Sequence, residues 1–139
     1  MPFREIRHTA DLMVEVESRT LSGLFEEALK ALSFLYGKGP IAKNKKRKKI
    51  KIELKAETPE ELLVSFLNEV IFLTERERVV FPLGKVTIVK ESPSGLSLTA
   101  SIFNDKIHPL IEIKSATYHN LKISKSSGER WQTKIIFDV

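Results

Sequence analysis

Residues 8–11 read His-Thr-Ala-Asp, and directly after them Leu12, Val14 and Val16 alternate with Met13, Glu15 and Glu17. That alternation predicts a half-buried strand, so His8 and Asp11 sit where it begins. The closing stretch "WQTKIIFDV" puts Trp131, Thr133, Ile135 and Phe137 on one strand face, with Asp138 and then Val139 and its α-carboxylate after them. If these two strands pair antiparallel, the start of the first lies beside the end of the last. Asp11 then meets Asp138 and Val139. Three carboxylates in one place repel one another unless they are protonated or neutralised by a cation. An all-oxygen donor set suits a hard ion, with calcium or magnesium ahead of zinc. The competing reading is plain: Asp11 caps a turn and Asp138 faces solvent, as most aspartates do.

Other constellations are weaker. His8, His108 and His119 are far apart, and zinc held by His8, Asp11 and His119 requires the fold to gather them, without the clustered ligand spacing of most zinc sites. There is no glycine-rich phosphate loop, no G-x-S-x-G elbow and no H-E-x-x-H. The chain has no cysteine, which excludes disulfides, zinc-thiolate sites and thiol nucleophiles. In "EIKSATYHNL", residues 112–121, Glu112, Lys114 and Ala116 share a face if the segment is a strand. Lys114 and His119 then flank Thr117 and Tyr118, either as cross-strand charges or as a surface for a partner.

The net charge of +5 comes from one place. "KNKKRKKIK", residues 43–51, holds seven of the 23 basic groups; without it, 16 basic face 18 acidic residues. Lys45, Lys46, Arg47 and Lys48 form either a solvated, edge-protecting run or a patch for phosphate backbones or an acidic partner. No aromatic residue interleaves with the run, which counts against base stacking.

The elements that must position these groups are well marked. Thr20 is a plausible N-cap for a helix to about Tyr36, with Leu21, Leu24, Phe25, Ala28, Leu32 and Leu35 as its apolar stripe. Gly37, Gly39 and Pro40 stop it. Ile50, Ile52 and Leu54 alternate as a strand. Thr58 then caps a second helix, with Pro59 at its first position and Glu61 completing a capping box. Its buried face is Leu62, Leu63, Phe66, Leu67, Val70, Ile71 and Leu73. Strands over 85–91 and 96–103 flank a Ser92-Pro93-Ser94-Gly95 turn, and further strands fit 110–117, 119–124 and 131–138. Two helices and about seven strands, with hairpins in the second half, predict an α+β fold. It is a mainly antiparallel sheet with both helices on one side, in a single domain over 1–139. The length is enough for one hydrophobic core. No apolar run spans a bilayer and no signal-peptide core opens the chain, so a cytoplasmic, membrane-free protein is expected.

Four separated stretches, "HTADLMVEVESRTLSGLFEEAL", "ETPEELLVSFLNEVIFL", "EIKSATYHNL" and "IIFDV", together resemble the archease family, in order and over nearly the whole chain. The resemblance implies a small α+β domain that is not itself an enzyme. It implies a protein cofactor of the RtcB-type tRNA-splicing RNA ligase, promoting guanylylation of that ligase and multiple turnover. It also implies calcium held by Asp11, Asp138 and Val139, and it puts His8, Lys114, Tyr118 and His119 in the region that acts on the partner. "IFNDKIHP" departs from the family pattern, being shorter and lacking its Gly-Glu, so a role for that loop or His108 does not carry over. Two other functions compete. One is an RNA-binding module working through Lys45, Lys46, Arg47 and Lys48; the other is a metal-dependent hydrolase built on Asp11, Asp138 and His119.

Overall fold

Two threonines start the two helices. The structure is a computed structural model that describes residues 11–37, 47–91 and 93–139; His8, Lys45, Lys46 and Ser92 lie outside the described residues. Helix α1 spans Leu21–Gly37, and Thr20 Oγ1 accepts the Gly23 N–H at 2.9 Å. Helix α2 spans Pro59–Glu77, and Thr58 Oγ1 accepts the Glu61 N–H at 3.1 Å. The Glu61 carboxylate reaches back to the Glu57 N–H at 3.4 Å. It therefore serves the residue before the cap, whereas a standard capping box closes on the cap itself. All seven residues expected on the buried face of α2 are buried, and Phe25 of α1 meets Phe66 of α2 with ring centroids 5.9 Å apart.

The strands are β1 (Asp11–Ser18), β2 (Lys49–Ala56), β3 (Val80–Lys90), β4 (Leu96–Asp105), β5 (Ser115–Ala116), β6 (Ser124–Lys125) and β7 (Trp131–Asp138). They form two antiparallel sheets, one ordered β1-β7-β5 with β6 also on β7, the other β2-β4-β3. Each helix packs against both sheets, α1 on β3 and β1, α2 on β2 and β5. One face of each sheet is thereby buried in a shared core and the other faces water. Alternation follows: Val16, Ile135 and Phe137 are buried inward in the first sheet, Ile52, Leu98 and Ile102 in the second. Gly84 in β3 lets α1 approach, since a Cβ there would lie 2.5 Å from Leu29 Cδ2. No helix among the described residues is long and apolar enough to cross a membrane.

The helices also finish the sheets. Edge strand β3 donates Val86 N–H to the Glu26 carboxylate at 2.8 Å and Ile88 N–H to Ser22 Oγ at 3.1 Å, both from α1. Helix α2 does the same for the first sheet. Asn68 Oδ1 accepts the Ala116 N–H at 2.7 Å, its Nδ2 reaches the Ala116 carbonyl at 3.4 Å, and Glu60 accepts the Ile123 N–H at 2.9 Å.

This bears on the strands expected over 110–117 and 119–124, which shrink to the two-residue β5 and β6. Side chains of α2 take hydrogen bonds that a longer strand would have given to a neighbour, and Asn120 turns the chain out of the ladder at a φ of 54°. Glu112 and Lys114 precede β5 and are exposed while Ala116 is buried, so the three do not share a strand face. Asn68→Ala strips both partners from a residue only 4% exposed. We expect it to cost about 1–3 kcal/mol, read as a lower urea midpoint at unchanged m, with faster amide exchange across 115–121.

Candidate functional site

The register of β1 and β7 places Asp11 directly opposite Asp138, followed inward by Leu12 and Phe137, then Met13 and Ile136. Directly opposed residues in an antiparallel pair have Cα atoms about 4.5–5.5 Å apart and project to the same face. That face is the outer one. Phe137 beside them is buried, Asp11 is exposed, and Asp138 and Val139 are half-buried. On the far side of β7, Ser115 is the partner of Asp138, and the Lys114 N–H donates to the Asp138 carbonyl at 2.8 Å. Asp11, Asp138 and Ser115 therefore form one row across three strands. Val139 packs against the core just beyond it.

The electrostatics of this row differ from those of its neighbours. Farther along the same face, Glu15 pairs with Lys134 at 3.5 Å and Glu17 with Arg130 at 3.5 Å. Among the described residues, no Lys, Arg or His side chain comes within ion-pair distance of Asp11 or Asp138. Like charges directly opposite one another across an antiparallel pair are destabilising. Backbone pairing fixes their Cα positions opposite one another. The donor chemistry, two carboxylates with main-chain oxygens beside them, fits a hard, oxygen-seeking cation. Among the described residues no third His, Asp or Glu side chain joins them.

The other anticipated residues divide. Lys114 touches the row through its backbone. Thr117 N–H donates to the Ile136 carbonyl at 2.9 Å, two positions upstream of Asp138, and Tyr118 and His119 follow where the chain leaves the ladder. Tyr118 is 56% exposed, and the His119 ring is exposed with its Nε2 3.3 Å from Asn120 Nδ2. Arg47 and Lys48 stand before β2 in the other sheet, with Lys48 Nζ 3.7 Å from a Glu77 carboxylate oxygen. The structure thus brings Asp11, Asp138, Val139 and Lys114 together and separates them from the described end of the basic run. One neighbour of the row was not legible in the sequence, Ser115. It depends on pairing with Asp138, 23 positions away.

These features define a small α+β protein in which two antiparallel sheets share a two-helix core and the β1–β7 pairing makes a carboxylate row. The chain belongs to the Archease protein family (MTH1598/TM1083), which it matches over residues 3–139. It is 34% identical to Protein archease of Thermococcus kodakarensis, covering 95% of this chain and 94% of that one. It is 32% identical to Protein archease of Pyrococcus furiosus, again over 95% and 94%. Two solved structures share the fold. One is a Thermotoga maritima archease described as a possible chaperone, with TM-score 0.66 and 24% identity over 100% of this chain and 98% of that one. The other is Protein 1598 of Methanobacterium thermoautotrophicum, with TM-score 0.70 and 21% identity over 96% of each chain.

Proposed function

We propose that this protein is a non-catalytic activator of an RtcB-type tRNA-splicing RNA ligase, and that it acts through the Asp11–Asp138 row with calcium held there. The observation that carries the reading is the carboxylate pair itself, locked in register and without a cationic partner among the described residues while the next charges along the face are paired. Family membership supports it. So does the description of the Thermotoga relative as a possible chaperone, a protein that acts on other proteins.

The Asp11 and Asp138 carboxylates and the main-chain oxygen of Val139 hold the ion, which when bound supplies the positive charge that the pair lacks. Ser115 and the Lys114 N–H fix Asp138 from the other side, so the row is preorganised. Met13 and Tyr118, both more than half exposed, give an apolar flank for a protein contact, and His119 lies beside them in sequence. None of these residues needs to make or break a bond. Preferential binding to the ligase conformation competent for guanylylation raises its population, and the same contact resets the ligase after each round.

A ligation time course with RNA in excess over ligase tests the reading. With this protein present, product should pass one equivalent of ligase and keep rising. A plateau at one equivalent with and without it refutes the proposal.

A further inference from the structure

The outer face of the β2-β4-β3 sheet has a charge pattern unlike that of the other sheet. Register sets Lys49 beside Phe103, sets Lys51 and Lys85 on either side of Ser101, and leaves Lys55 farther along β2. All four lysines are exposed and Phe103 is half-buried. One acidic side chain, Glu53, shares these rows, 3.0 Å from Lys51. Lys49, Lys55 and Lys85 have no ion-pair partner among the described residues. Where the first sheet pairs Glu15 with Lys134 and Glu17 with Arg130, this one keeps a surplus of positive charge.

The spacing suits a polyanion. Alternate residues along a strand lie about 6.8 Å apart, and Lys51 and Lys85 are two strand intervals, about 9.6 Å, from one another. Flexible lysine stems on such a grid can follow successive phosphates. Hydroxyl side chains of β4 occupy the space between them. The basic run lacks an interleaved aromatic in sequence, yet strand pairing sets Phe103 directly opposite Lys49. An aromatic side chain among cations on a sheet face is the combination that single-stranded bases stack on. Lysines that merely protect an edge do not need an aromatic residue among them.

We propose that this sheet face binds single-stranded RNA, with Lys49, Lys51, Lys55 and Lys85 on phosphates and Phe103 under a base. The choice of RNA rests on the ligase reading; the charge and the ring do not.

The test is fluorescence anisotropy of a short labelled oligouridylate titrated with the full chain, without ligase, over a series of salt concentrations. Polyglutamate is titrated in parallel as an acidic-protein mimic. We expect the binding constant to fall with salt at a log–log slope of about −2 to −3, near 0.7 for each of three or four contacts. Lys51→Gln with Lys85→Gln should flatten that slope by about 1.4, and Phe103→Leu should weaken binding roughly tenfold at unchanged slope. Absence of RNA binding at low salt, binding that either variant leaves unaltered, or tighter binding of polyglutamate each overturns the assignment. Because ligase is absent, failure here leaves the activator reading standing, and failure to stimulate ligase leaves this binding standing.

Discussion

Replacing Asp11 and Asp138 together by asparagine should invert the order of thermal stability between chelator and calcium. In chelator, the wild-type pair repels across one strand spacing and the variant does not. The variant should therefore melt at the same temperature as wild type or above it, by up to about 1 kcal/mol. At calcium a hundredfold above its dissociation constant, the wild type gains about 2.7 kcal/mol by mass action, and the variant, whose amide oxygens lack the two negative charges, gains far less. For a chain of this size that is a shift on the order of ten degrees. A purely structural role for either aspartate lowers stability in both conditions and never produces the crossing. Scanning calorimetry of both proteins in both buffers reads it directly. Wild type that melts at one temperature regardless of calcium removes the cation from the account.

The largest loss of stability is expected at Phe137. Its side chain is 0% exposed, and it sits between Leu12 of β1 and Ala116 of β5 on the strand that joins both halves of the sheet. Phe137→Ala removes the ring and leaves a cavity that rigid neighbours close only in part, at about 3–5 kcal/mol. Phe137→Leu keeps most of the volume and should cost well under half of that. Because Phe137 precedes Asp138, the alanine variant should also loosen the carboxylate row, with amide exchange at 114–117 and 136–138 rising before global unfolding. Equal urea midpoints for Phe137→Ala and wild type contradict the packing described here.

The part of this fold that depends on local signals was legible. Thr58-Pro59 with Glu61 marks the start of α2, its apolar spacing marks the buried face, and alternation marks β1 and β7 closely enough for their antiparallel pairing to be inferred. That pairing is what aligned Asp11 with Asp138. What failed was non-local. The segments around Ser115 and Ser124 carry strand-like composition, but Asn68 and Glu60 of α2 take hydrogen bonds that longer strands require, and no pattern within 110–124 announces a helix side chain as a partner. Division into two sheets was equally hidden, because β4 prefers β2 and β3 while β7 takes β1. Phe103 opposite Lys49 follows from that same pairing, 54 positions apart, and the basic run read along the chain does not show it.

The most direct test is multiple-turnover ligation, with RNA in excess, comparing wild type with the Asp11→Asn, Asp138→Asn variant after circular dichroism shows that both are folded. Wild type should carry the ligase through repeated rounds and the variant should leave it at a single one. Stimulation by the variant equal to that by wild type contradicts the claim that the opposed carboxylates of β1 and β7 make this protein an activator.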